Sequence, residues 1–278
     1  MDKYIDLHTH SSASDGSMRP FELVRHAKEA GLAAIALTDH DTIEGVDEAI
    51  EEGNKIGVEV VAGLEISADY NPEMHILAYF FNGTHKNIVP ILANLRENRK
   101  TRNPKIIKKL EDMGFPMTME EVEAEASGSV VGRPHVAKVM LRKGYVKSIE
   151  EAFEKYLSSG KPAYFKKDKL TPEESIKEIV KAGGIPVVAH PKYLYHTYSQ
   201  LDELFERLAA AGLRGVEAIY VDNTQDETGN FLRLAIKHNL LVTGGSDYHG
   251  TYKCGIEIGV GRGNLKVPYE LLEKLKQA

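Results

Sequence analysis

The 278 residues carry 42% hydrophobic and 27% charged side chains, a balance that excludes a disordered chain and leaves apolar material for a sizeable core. A single cysteine, Cys254, excludes an internal disulfide and a thiolate zinc cluster. No apolar run spans a membrane and the amino terminus enters a strand with no secretory pattern, so a cytoplasmic, membrane-free protein is expected.

The net charge of −6 is uneven: residues 84–169 hold eighteen Lys and Arg against eleven Asp and Glu, a net of +7 that leaves −13 on the rest. A basic segment in an acidic chain suggests a face for an anionic substrate, although the run 96–109 by itself reads as a solvated helix face.

Seven apolar runs read as strands: Tyr4–Leu7, Ala33–Leu37, Val58–Ala62, Met74–Phe80, Ile185–Ala189, Gly215–Ile219 and Leu240–Val242. Helical stretches alternate with them, which favours parallel strands joined by crossover helices. Pro20–Ala30 has Phe21, Val24 and Ala27 at helical spacing and stops at Gly31, and Ile43–Ile56 stops at Gly57. Residues 84–169 break the rhythm with charged helical patterns and scattered glycines. They are expected to form a helical insertion after the fourth strand of a barrel built from 1–83 and 170–278. Barrel active sites lie at the carboxyl ends of the strands, so an insertion leaving there would cap the site. Thr171-Pro172-Glu173-Glu174 supplies an N-cap, a first-turn proline and a capping-box glutamate for the next helix. Leu201–Ala211 ends at Gly212, and Phe231–His238 leads into the last strand.

Chemistry gathers at the strand ends. Side chains two apart on a strand point the same way, so His8 and His10 can grip one ion. Asp15, His40, Glu65, His75 and His190 each follow a short apolar run, and Asp247 and His249 sit where the last strand ends. Six histidines and three carboxylates at separate strand exits point to a multinuclear metal centre. Such ligands suit manganese, iron or zinc without separating them. Glu65 directly follows a strand and is the candidate bridge between two cations. Three divalent ions with Asp15, Glu65 and Asp247 as the only anionic ligands leave about three surplus positive charges, which favours a phosphate dianion. His26, His85 and His238 lie away from strand ends and read as surface or packing residues. Glu217 is either a carboxylate orienting metal-binding imidazoles or an inward structural acid. Tyr193, Tyr195 and Tyr198 read as packing residues, with base stacking as the other role.

Asp6-Leu7-His8-Thr9-His10, Thr38-Asp39-His40-Asp41-Thr42, Gly63-Leu64-Glu65, His190-Pro191 and Ser246-Asp247-Tyr248-His249 together resemble the motifs of the PHP (polymerase and histidinol phosphatase) superfamily. The resemblance implies an α/β fold, a distorted (β/α)7 TIM-like barrel, holding two or three divalent transition-metal ions. It implies one ion among His8, His10, Glu65 and Asp247, a second among Glu65, His75 and His190, and a third among Asp15, His40 and His249. Some members of the family have histidine where Asp15 stands here. Gly132-Arg133-Pro134-His135 resembles the insertion motif of bacterial phosphatases acting on nucleoside 3′,5′-bisphosphates, relatives of which trim RNA from the 5′ end. Arg133 can hold a phosphate through two parallel hydrogen bonds and His135 can add a donor. Lys161, Tyr164 and Lys192 are supplementary substrate contacts.

The expected activity is metal-assisted, in-line hydrolysis of a phosphomonoester by water, without a covalent enzyme intermediate. Asp247 is expected to accept the proton of the attacking water, and His249 or water at the third ion to assist the leaving group. The expected partners are a nucleotide or short oligonucleotide and no stable duplex, because the chain is acidic overall. Histidinol-phosphate hydrolysis, a non-catalytic metal-stabilised barrel and an amidohydrolase are the competing readings.

Overall fold

Small and branched apolar residues build the strands, and the computed structural model describes residues 3–126, 131–165 and 169–278, without the side chains of 96–101. β1 (Tyr4–Thr9), β2 (Ala34–Leu37) and β3 (Glu59–Ala68) run parallel, with α1 (Pro20–Glu29) and α2 (Val46–Ile56) as crossovers. Each crossover buries one stripe, Leu23, Val24 and Ala27 in α1 and Val46 and Ala49 in α2. α2 ends at Gly57, whose left-handed backbone (φ 76°) suits a residue with no Cβ.

β4 (Met74–Phe80) departs from the expected parallel pattern. Too few residues follow β3 to form a crossover helix, so β4 folds back and pairs antiparallel with β3 and with β5 (Gly184–Val188). This pairing carries β3 on to Ala68, and Glu65, expected just past a strand ending at Ala62, lies inside it opposite Leu77. The reversal also moves the exit of β4. Phe80 pairs with Gly184, the first residue of β5, so the chain leaves at the amino ends of the parallel strands and not at their carboxyl ends as expected. It rejoins at the opposite end, where the Asp69 N–H donates to the Leu170 carbonyl (2.7 Å) and Lys169 pairs with Glu73.

Two units divide the chain, Met1–Ile91 with Lys169–Ala278 and Leu92–Asp168, the division falling inside α3 (Val89–Asp112). The smaller unit is helical, with α4 (Met119–Ala126), α5 (Arg133–Arg142) and the short α6 (Ile149–Ala152). Ile106, Leu110, Val122, Val136, Val139 and Met140 form part of its own core.

In the larger unit α7 (Pro172–Lys181) begins with the capping box, the Thr171 hydroxyl accepting from the Glu174 N–H (3.2 Å) and the Glu174 carboxylate from the Thr171 N–H (2.8 Å). α8 (Tyr198–Ala210), β6 (Gly215–Tyr220), α9 (Gln225–Lys237) and β7 (Leu241–Gly245) resume the parallel winding. The strand order is β7-β6-β5-β4-β3-β2-β1-β8, with β8 (Val267–Pro268) antiparallel to β1 and followed by α10 (Glu270–Lys276). A parallel bridge between Thr9 and Tyr248, with the His10 N–H donating to the Tyr248 carbonyl (2.9 Å), brings β1 against the exit of β7. The result is a distorted, nearly closed barrel. No helix among the described residues is long and apolar enough to cross a membrane.

Two residues set this seam. The fully buried Asp6 accepts from the N–H groups of His8, Ser246 and Gly259 and from the Ser246 hydroxyl, joining β1 to the β7 exit and the loop beyond. At Gly245 an added Cβ would stand 2.4 Å from the Cβ of His8 and 2.6 Å from its nitrogen. Gly245→Ala is therefore expected to lower stability by about 1–3 kcal/mol, through a shift of β7 from β1 that also displaces His8. Denaturant unfolding measures this, and an unchanged midpoint would contradict the close approach.

Candidate metal centre

The barrel delivers its polar residues to one end. His8 lies on β1 and His10 just beyond it, while Glu65 lies on β3. His75 is the second residue of β4, and because β4 is reversed its start lies at the same end as the exits of the parallel strands. His40 follows β2 and bridges to Glu65, with the Asp41 N–H donating to the Glu65 carbonyl (2.9 Å). His190 and Asp247 follow β5 and β7 in left-handed backbone conformations, φ 27° and 54°, which side chains with a Cβ seldom adopt. The buried Asp39 accepts from the Ser11 N–H (2.8 Å), the Ser11 hydroxyl (2.7 Å) and the Ser14 hydroxyl (2.6 Å), which shapes the loop that carries Asp15.

Glu65 is the centre. Its Oε2 lies 3.2 Å from Nε2 of His8, 3.2 Å from Nε2 of His10 and 3.4 Å from Nε2 of His40, and its Oε1 lies 2.9 Å from Nδ1 of His75 and 3.1 Å from Nε2 of His190. Asp247 turns Oδ1 toward His249 Nδ1 (3.3 Å), His10 Nε2 (3.4 Å) and His8 Nε2 (3.7 Å). Asp15 reaches His10 and His249 at 3.5 Å and His40 at 3.8 Å. All nine residues singled out as ligands thus lie in one cluster, in overlapping groups whose ligand atoms are within 4.8 Å of one another. Both ring nitrogens of His10, and Nδ1 of His40 and of His75, are buried without a hydrogen bond. Orphaned imidazole nitrogens around shared carboxylates suit divalent cations.

A family model for the PHP domain matches residues 6–182. The chain belongs to the PHP family. It is 36% identical over 261 residues to a 5′-3′ exoribonuclease of Haemophilus influenzae, covering 93% of this chain and 94% of that one. It is 30% identical over 257 residues to a 3′,5′-nucleoside bisphosphate phosphatase of Chromobacterium violaceum, covering 92% and 90%. A crystal structure from Bifidobacterium adolescentis, provisionally named a metal-dependent phosphoesterase, superposes with a TM-score of 0.78 at 31% identity over 98% of this chain and 95% of that one. This PHP protein is accordingly a metal-dependent hydrolase of phosphoric esters.

Around the PHP cluster stand groups that the sequence reading left open or missed. Glu217 is fully buried and accepts from Nδ1 of His8 (2.9 Å) and from the N–H of His190 (2.7 Å), so it orients one imidazole and the backbone of another. Tyr220 and Lys253 both donate to Asp247 Oδ2. No spacing signal marks them, because one ends β6 and the other follows the irregular segment after β7. Lys192 is held by the Asp222 carbonyl and by Glu227 (3.1 Å). In the helical unit Arg133 stands 5.3 Å from the ring of Tyr164 and 5.9 Å from that of Phe153, with one N–H donating to the Leu157 carbonyl (2.8 Å). His135 Nδ1 accepts from the Gly132 N–H (3.0 Å), which leaves the proton of the neutral ring on Nε2, and burial holds its pKa below the usual value. Lys161 is exposed. His85 is buried against Asp47 (3.0 Å), His238 pairs with Asp202 (2.7 Å), and His26 stacks on Tyr248.

Burial penalises charge throughout the cluster, and close opposite charges outweigh it at most positions. It would raise the Glu65 carboxyl, yet His40, His8 and His75 hold it well below its ordinary range. It would lower His10 and His75, yet Asp247 and Glu65 hold His10 up at about 10, and Glu65 with Glu73 holds His75 at about 9. At His40 burial wins and the ring falls to about 4. The raised rings keep their protons near neutral pH, and a protonated imidazole cannot take an ion, so metal binding must release those protons and tighten as pH rises toward 9. Calorimetric Mn2+ titrations in buffers of different ionisation enthalpy are expected to show this release. Heats independent of the buffer would contradict it.

Proposed function

We propose that this PHP phosphoesterase removes the 3′-phosphate of nucleoside 3′,5′-bisphosphates and also takes the 5′ ends of short single-stranded RNA. The observation that carries the reading is the cluster of six imidazoles and three carboxylates, Asp15, Glu65 and Asp247, whose ligand atoms lie close enough to hold ions. Two or three manganese, iron or zinc ions held there leave a net positive site for a phosphoryl dianion. His8, His10, Glu65 and Asp247 would hold one ion, Glu65, His75 and His190 another, and Asp15, His40 and His249 the third. Bound ions make water acidic enough to serve as a nucleophile near neutral pH and stabilise charge on the phosphoryl oxygens.

The residues of the chain supply orientation and charge. Glu65 offers one oxygen to each side of the cluster, and Glu217 fixes the ring that Glu65 shares with Asp247. Asp247 is held well below its ordinary pKa despite its burial, by His8, His10 and Lys253. With Oδ1 facing three imidazoles and Oδ2 taking Tyr220 and Lys253, both oxygens are already engaged, and we assign it as a ligand instead of the proton acceptor. The Nδ1 of His249 faces the Asp247 carbonyl at 2.8 Å, which can only accept, so a neutral ring turns the lone pair of Nε2 toward Asp15. We assign His249 likewise as a ligand and not as the leaving-group acid. Arg133 and His135 are proposed to grip the second phosphate, the first as a guanidinium fork stacked on Tyr164 and the second through Nε2–H, with Lys161 nearby in sequence. The Chromobacterium relative supports the bisphosphate, and the Haemophilus relative supports RNA ends.

Phosphate release in Mn2+ from adenosine 3′,5′-bisphosphate, 3′-AMP, 5′-AMP, histidinol phosphate and a 5′-phosphorylated trinucleotide tests this. The bisphosphate is expected to exceed 3′-AMP in kcat/KM by about tenfold or more, and Arg133→Ala to erase most of that preference. A preference for histidinol phosphate, or one unchanged in the variant, would refute the assignment. Asp247→Asn should lower kcat by about a thousandfold while leaving the unfolding midpoint near that of the wild type. Near-normal turnover in that variant would remove Asp247 from the machinery.

A further inference from the structure

Asp247 divides its oxygens between unlike neighbours. Oδ1 faces the three imidazoles described above, while Oδ2 takes the Tyr220 hydroxyl (2.8 Å) and the Lys253 ammonium. Tyr220 is a fixed donor. It is buried and wedged against His190 and Tyr193, with ring centroids 5.6 and 5.9 Å away, so it can hold Oδ2 by itself. A second donor adds little to positioning.

Lys253 differs from the other cations of this rim. Lys192 has Glu227 as its acid, and Arg262 has Asp222 at 3.2 Å. Among the described residues, the only acid within ion-pair distance of Lys253 is Asp247, a candidate metal ligand. The Lys253 side chain is 34% exposed and its partner 9%, so the ammonium stands between the cluster and solvent. A carboxylate that lends one oxygen to a divalent ion loses much of its pull on a neighbouring ammonium. A phosphoryl dianion arriving at the same ions is the stronger acceptor.

We propose that Lys253 contacts the substrate: it rests on Asp247 Oδ2 and moves its ammonium to the phosphoryl group that is hydrolysed. The inference rests on the phosphoesterase reading of the cluster. The move exchanges one hydrogen-bond acceptor for another and makes or breaks no covalent bond. Lys192 and Arg262 cannot replace it without abandoning their own acids.

The test uses the full chain and two binding measurements made without turnover: Mn2+ affinity alone, and inorganic phosphate affinity at saturating Mn2+. Lys253→Met is expected to leave Mn2+ affinity within about threefold and to weaken phosphate about tenfold or more. KM for the bisphosphate should rise in step, and Lys253→Arg should recover most of the phosphate affinity. Tyr220→Phe is the contrast, expected to weaken Mn2+ binding and to spare phosphate binding by the saturated protein. Phosphate affinity unchanged in Lys253→Met overturns the proposal, whatever happens to the metal. Wild-type protein that binds Mn2+ but no phosphate is a separate failure, which overturns the underlying reading along with it.

Discussion

Everything at this end of the barrel depends on burying the Glu65 carboxylate among five imidazoles. A buried carboxylate without partners costs several kcal/mol, and imidazoles crowded together carry their own penalty when charged. The arrangement holds because each penalises the other's absence: Glu65 lies within 3.4 Å of a ring nitrogen from β1, from beyond β1, and from the exits of β2 and β5 and the start of β4. Four separate segments, the first contributing both His8 and His10, are thereby tied to one side chain. Their carboxylate neighbours extend the same logic outward, since Glu217 anchors His8 and Asp39 anchors the loop that carries Asp15.

The geometry is held under local strain. His190 and Asp247 adopt backbone conformations that L-residues avoid, and β7 approaches β1 so closely at Gly245 that a methyl group has no room. Asp6 balances part of this by drawing four donors onto one buried carboxylate, although burial still pushes its pKa up. Stability and the shape of the site are thus set at the same seam.

The reversed strand is the feature that most changes the architecture. A parallel β4 would have carried His75 away from the rest of the cluster, because a histidine at the start of a parallel strand lies at the wrong end of the barrel. Running antiparallel, β4 places His75 2.9 Å from Glu65 and sends the chain out at the opposite end, to return beside Asp69 and Glu73. One short connection therefore decides both a member of the cluster and the route of the insertion.

The nine clustered residues were legible because histidines and acids at strand ends stand out against apolar runs. Helix ends were legible for a similar reason: Gly57 and the Thr171 capping box are local devices that act within a turn. Strand direction was not, since an apolar run reads the same whichever way it pairs. Nor were Tyr220, Lys253 and the hold of Asp39 on Ser11 and Ser14, which are ordinary residues until folding supplies their partners. The sequence by itself determined which histidines and acids would gather at one end of the barrel and which segments were helical. Only the tertiary structure decided the place of Glu65 inside β3, the direction of β4 and the division of Asp247 between its two sets of neighbours, because each arises from contacts between residues far apart in the chain.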